Sequence, residues 1–333
     1  MNNDNLKDHI YIRELLQMES NYPDRNEFHE HVKPLLLKMG ADKEFLKLVV
    51  KRNLDDQGYL NQEWSAYNIP YFLIYETDDF VLKIHLFPPA EKYVPGIAAH
   101  AIHHHNNYIL TTNAFFGSGY ESILFDKKVE TDPATLRTKL TVRKQFHQKD
   151  WNPSRVEAWE PHIVFLPETL SATLLIWTPE RKRATDALRN KGLLKAIKKP
   201  LRKAIQVFGL EGAFGIAKGK TFQYYAAPDG NGFMAVEEDV YFAPSRANKG
   251  AEMNDKSMQL LFAFIQQADI ADLVYMQQRL LKPGLPEYYK KWIQKILNQE
   301  TIEPVFHQTE INIPQKTYTM EDILHAANSK NSR

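Results

Sequence analysis

The chain has 333 residues, a formal charge of +1, 43% hydrophobic and 25% charged residues, and no cysteine. A charge so near zero excludes a global field for nucleic acid or an acidic surface, and the missing cysteine excludes disulfides, thiolate metal sites, cysteine-ligated iron–sulfur clusters and cysteine nucleophiles. No run of about 18 apolar residues spans a membrane, and the polar start MNNDNLKDHIYIRELL is unlike a secretory leader, so the expected location is cytoplasmic.

Residues 1–65 read as a helical layer. Leu6, Ile10, Ile12, Leu15 and Leu16 recur at helical spacing behind a candidate cap at Asp4 or Asn5. A second helix over 27–39 carries Phe28, Val32, Leu35 and Leu36, with Gly40 placed to stop it and Pro34 predicting a kink or a late start. A third, over 42–52, carries Phe45, Leu46, Val49 and Val50 and ends in a loop at 55–58.

From Tyr71 the period changes. YFLIYE and FVLKIHLF flank Thr77-Asp78-Asp79 as a hairpin does, and Pro88-Pro89 closes the second run. The stretch 96–125, GIAAHAIHHHNNYILTTNAFFGSGYESILF, holds a strand from Ile109, a glycine turn at 117–119 and a return strand over 120–125. LRTKLTVRKQF, from Leu136, alternates as one strand with a wet face, and HIVFL and ATLLIW follow around a turn at 167–169. Short strands without a helix-period segment predict a small antiparallel barrel or jelly roll over 66–180.

Residues 181–333 complete the chain. The basic segment 181–203 reads as a solvated amphipathic helix leaving the barrel, with docking on an acidic partner as the competing function. Gly219-Lys220-Thr221 matches the tail of a phosphate-binding loop, but Phe214 stands where the Walker pattern needs glycine. TFQYYAAPDGNGFMAVEEDVYF reads as a hairpin around 229–232. Helices are expected over 258–271 and 273–297, interrupted at 283–286, then a late strand VFHQTEINI and a terminal helix MEDILHAANSK. The fold class is therefore mixed α+β, an antiparallel barrel with helical extensions at both ends, basic helix, hairpin and C-terminal helices packing on it.

The chemistry gathers in His103-His104-His105. On extended backbone successive side chains alternate, so His103 and His105 share one face and His104 takes the other. Two imidazoles on one face can bind one metal ion, and a third from another strand would complete a facial set. His162 is the candidate, with His100, His85 and His147 as competitors. Imidazole suits iron, copper, nickel and zinc, and zinc on three histidines could activate water for hydrolysis. Glu121, Glu157 and Glu160 are available to accept a ligand's other N–H. Tyr108, Tyr120 and Trp177 are candidates to line a pocket, and Arg143 to pair with a substrate carboxylate. Tyr120, Arg143 and Trp177 make up the candidate catalytic set.

The pattern His-x-His, short polar link, apolar strand, glycine turn and Glu-x-x-Leu-Phe resembles the first motif of the cupin superfamily. Within it the chain is most similar to the cysteine-dioxygenase-like, three-histidine branch, because the glutamate many cupins carry a few residues after the histidines is absent from Asn106-Asn107-Tyr108-Ile109-Leu110. His162, an irregular link and the strand from Thr173 resemble that branch's third ligand and the strand after it. The resemblance covers 80–179. It implies a metal site of His103, His105 and His162 holding Fe(II), with Zn, Ni, Mn or Cu as alternatives. It also implies insertion of oxygen from O2 into a small organic substrate, and it allows pairing into a homodimer. Three neutral histidines, which leave the ion's charge uncompensated, favour an anionic substrate, and charge and hydropathy favour no nucleic acid or membrane partner. Thiol dioxygenases carry Ser-x-His-x-Tyr on that strand, whereas this chain has Thr173, Leu175 and Trp177, which counts against cysteine as substrate. The alternative function is a metal-binding cupin without redox chemistry, an isomerase, hydrolase or ligand sensor.

Overall fold

The computed structural model describes residues 4–64, 69–90, 102–179, 221–238, 251–304 and 318–329. Helices α1 (Asp4–Lys7), α2 (Ile10–Asn21), α3 (Arg25–His31), α4 (Lys33–Ala41), α5 (Lys43–Asp55) and α6 (Gln57–Leu60) open it. The first expected helix is two, because the chain breaks after α1 and His9 Nδ1 accepts the Tyr11 N–H to start α2. The helix expected over 27–39 is also two. Pro34 falls in the first turn of α4, where its missing N–H costs nothing, and the break lies at Val32. Asp24 and Asp42 cap α3 and α5 by accepting backbone N–H groups of the first turn. The loop expected at 55–58 instead starts α6, with Asp56 accepting the N–H groups of Gly58 and Tyr59. Gly40 does not stop α4. A Cβ there would lie 2.7 Å from Phe115 Cβ, so the glycine serves close approach of helix to sheet.

The strands are β1 (Tyr71–Glu76), β2 (Val81–Phe87), β3 (Ile109–Phe116), β4 (Glu121–Phe125), β5 (Glu130–Thr131), β6 (Arg137–Lys139), β7 (Val142–His147), β8 (Ser154–Val156), β9 (His162–Phe165), β10 (Ser171–Thr178), β11 (Phe222–Ala226) and β12 (Phe233–Glu237). They form antiparallel sheets in the orders β1-β2-β10-β3-β8, β7-β4-β9 and β11-β12-β6-β5. The last two are stitched together by residues 102 and 103, since His103 bridges to His162 in β9 and Ile102 to Tyr224 in β11. The strand expected from Leu136 divides into β6 and β7. Its alternation survives, but its pairing partner changes from β12 to β4. The return strand after the glycine turn is β4, which crosses to the opposite sheet instead of pairing with β3. That turn needs glycine at 117, where φ is +80° and a Cβ would lie 2.0 Å from the Leu170 carbonyl oxygen.

The five-stranded sheet has two different faces. Leu82, Ile84 and Leu86 of β2 and Ala172, Leu174 and Ile176 of β10 join the helical core with Phe28, Leu36, Phe262 and Tyr289. The helices α7 (Ala251–Gln267), α8 (Leu273–Leu281) and α9 (Glu287–Leu297) share that core. On the other face Leu110, Val156 and Leu175 meet Leu124 and Phe146 of the opposing sheet, and Phe87 meets Tyr120 and Val164. Helix α10 (Met320–Asn328) covers that opposing layer through Ile323 and Ala326. The fold is mixed α+β with helices at both ends. Among the described residues the β-region is two facing antiparallel sheets, with no strand pair closing them into a hydrogen-bonded barrel.

The basic segment 181–203, Gly219-Lys220 and VFHQTEINI lie outside the described residues. No helix of the described residues is long and apolar enough to cross a membrane.

Candidate metal centre

His103 and His162 stand directly opposite each other across the antiparallel bridge. The His103 N–H donates to the His162 carbonyl at 3.0 Å, and the His162 N–H to the His103 carbonyl at 2.8 Å. A reciprocal pair of this kind sends both side chains from the same face, and the ring centroids lie 4.3 Å apart. His105, two residues on, returns to that face with its ring 5.0 Å from His103 and 4.7 Å from His162. One ligand nitrogen from each of the three lies within 4.8 Å of the others, and no carboxylate of the described residues joins the group.

His104 is turned away, as the alternation requires. It is buried, its backbone N–H donates to Gln223 Oε1 at 3.0 Å, and its ring packs against Trp159 and Tyr224. Asn106, at φ +52°, then breaks the extended run. Asparagine is among the residues that tolerate that region best.

The tautomer of His162 follows from its neighbour. Nδ1 lies 3.0 Å from the Glu160 carbonyl oxygen, which can only accept, so Nδ1 carries the proton and Nε2 keeps the lone pair a metal requires. Burial pushes the His162 pKa down to about 4, which holds the ring neutral, its ligating form, above that pH.

Glu160 thus orients His162 through its backbone and not its carboxylate. The carboxylate is itself buried, accepts the Glu157 N–H at 2.8 Å and pairs with Arg143. A buried carboxylate needs such a cation, so the Arg143 guanidinium, half-exposed, is engaged by the protein's own acid. Glu157 is held by Arg155 at 2.8 Å, and Glu121 lies at the start of β4, beside His147 and Phe165 in register.

Trp177 places its ring 5.4 Å from that of His105, and its Nε1 is buried without a hydrogen-bond partner. Tyr108 is more exposed and lies 6.3 Å from Trp177. The Tyr120 hydroxyl lies 3.4 Å from Thr112 Oγ1, its ring packs on Phe87, and burial raises its pKa. Of the competing ligands, His85 faces Trp177 and Tyr71 outside the group, and His147 Nδ1 accepts the Lys149 N–H. His100 is outside the described residues.

Two contributors escape sequence reasoning. Gln223, which anchors the backbone of His104, is 119 residues away, and no local pattern reports it. Lys83, whose ammonium lies 5.5 Å from the Trp177 ring centroid, had a signal, a lysine and a histidine alternating with Leu82, Ile84 and Leu86 in FVLKIHLF.

No protein-family model and no curated protein matches the chain. Among solved structures it is similar to the cupin domain of Schizosaccharomyces pombe Cnp3, at 7% identity and a TM-score of 0.22, over 37% of this chain and 71% of that one. It is also similar to a chain from crystal structures of the DMSP lyases RdDddP and RnDddQII, at 12% identity and a TM-score of 0.19, over 33% of this chain and 47% of that one. At such scores the likeness assigns neither fold nor activity.

Proposed function

We propose that the protein is a metal-dependent oxygenase of the three-histidine cupin kind, acting on a small anionic organic molecule. The observation that supports it is the convergence of His103, His105 and His162, one ligand nitrogen from each within 4.8 Å of the others. His103, His105 and His162 would hold Fe(II), with Zn, Ni, Mn or Cu as alternatives. Iron there would supply redox chemistry with O2 and open positions for substrate.

The chain's own residues do the rest. The Glu160 carbonyl fixes the proton on His162 Nδ1, and burial keeps that ring neutral. Three neutral ligands leave the full charge of the ion uncompensated, which favours an anionic substrate. Trp177 packs beside the His105 ring, with Tyr108 next to it on the more exposed side. On β10, Thr173, Leu175 and Trp177 stand where thiol dioxygenases carry their Ser-x-His-x-Tyr array, which counts against a thiol substrate.

The test is metal analysis of protein purified without oxygen, with His105→Ala as control. Wild type should carry stoichiometric iron and the variant only background. Full iron in the variant overturns the site. Bound metal with no oxygen uptake across candidate anions favours the non-redox alternative, a metal-binding isomerase, hydrolase or sensor.

A further inference from the structure

Lys83 lies in the middle of β2, opposite Leu73 of β1 and Leu175 of β10. Because Leu82, Ile84 and Leu86 enter the helical core, Lys83 is on the other face, the one that carries Trp177. Its ammonium sits 4.2 Å from the Tyr71 ring centroid and 5.5 Å from that of Trp177. It makes no hydrogen bond and no ion pair with a described residue. Burial lowers its pKa, and Glu76 is the one charge that opposes this.

Beside it, Trp177 Nε1 is a buried donor with no hydrogen-bond partner among the described residues, whereas Lys83 is half-buried. An ammonium and an indole N–H can only donate, and leaving the buried indole N–H unmatched costs stability. The two donors are also tied to the metal centre, since the same indole ring lies 5.4 Å from His105 and 5.5 Å from Lys83 Nζ. Arg143 is not free to serve here, being committed to Glu160. One positive charge and one neutral donor match a monoanion with several acceptor lone pairs; a phosphate dianion would call for more cations.

We propose that Lys83 and the Trp177 indole N–H form the anion-recognition half of the centre, holding the carboxylate of a small monocarboxylate whose other end reaches the metal. This rests on the metal-site reading above, and it names the group by which the substrate is selected. Tyr71 contributes its ring face only, because its hydroxyl donates to Gln62 Oε1 at 2.8 Å.

The experiment is calorimetric titration of the full chain with acetate, benzoate and 3-phenylpropionate, each against its neutral amide. At least one carboxylate should bind wild type about tenfold more tightly than its amide. Lys83→Met, which keeps the stem but removes the charge, should abolish that preference without lowering Tm. Trp177→Phe, which keeps a ring but removes the donor, should reduce it about threefold. Equal binding of acids and amides by wild type, or an unchanged preference in Lys83→Met, overturns the proposal. Failure of the metal reading shows separately, as Co(II) uptake unaffected by His105→Ala while the carboxylate preference persists.

Discussion

The sheet β1-β2-β10-β3-β8 separates two kinds of buried histidine. On the helix side, His29 of α3 is fully buried, with one ring nitrogen 2.8 Å from Thr111 Oγ1 and the other 2.8 Å from Thr178 Oγ1. On the opposite side, next to Thr178 in sequence, Trp177 faces His105, which meets two further imidazoles. Burial depresses the pKa of His29 to about 3 and of His162 to about 4. A depressed value therefore does not separate the two. Partners do, since His29 has a hydroxyl on each nitrogen, whereas His162 satisfies Nδ1 on a carbonyl and brings its ring to two other potential ligands.

The sharpest way to break this contrast is to exchange its consequences. His162→Ala should reduce bound metal from stoichiometric to background by elemental analysis, whereas His29→Ala should leave metal content unchanged. His29→Ala should instead lower stability by about 3 kcal/mol in urea unfolding, from the cavity and the two stranded hydroxyls. Metal loss in His29→Ala would erase the distinction.

Acid sharpens it further. The unfolded chain protonates His29 near pH 6.5, while the folded chain resists until about pH 3. Between those values the unfolded state binds more protons, so this contribution is complete above pH 6.5 and is lost as the pH falls. The slope approaches about 1.4 kcal/mol per pH unit. Unfolding curves at pH 7.5, 6 and 5 should show a shallower loss for His29→Leu than for wild type, and parallel losses would refute the assignment. The smallest effect belongs to Arg143→Met. Acting through Glu160 and half exposed, it should weaken metal binding by no more than about tenfold in a competitive chelator titration. A loss as large as that of His162→Ala would make Arg143 far more than a positioning residue.

Much of the strand pattern was legible because it is local. The runs 71–76, 80–87 and 172–177 carry enough apolar and aromatic residues to mark β1, β2 and β10 to within a residue or so of their bounds. Pro34 correctly warned of a break in its helix, but Gly40 misled, because its role lies in Phe115 packing on it from a strand far along the chain. The run from Leu136 misled for the same reason, since alternation reports which way side chains point and not which strand receives the hydrogen bonds. The pairing of His103 with His105 followed from spacing. His162 came from resemblance, and its opposition to His103 is a matter of register that no window of sequence contains.

By itself, then, the sequence determined the types of most described elements, the absence of thiolate ligands and the shared face of His103 and His105, all consequences of composition or of backbone periodicity. Tertiary structure decided which distant groups meet. It put His162 opposite His103, engaged Arg143 with Glu160 and left the Trp177 indole N–H without an acceptor among the described residues, beside the Lys83 ammonium. Those outcomes depend on strand order and on which buried charges find partners, and both are set only when the two sheets close on each other.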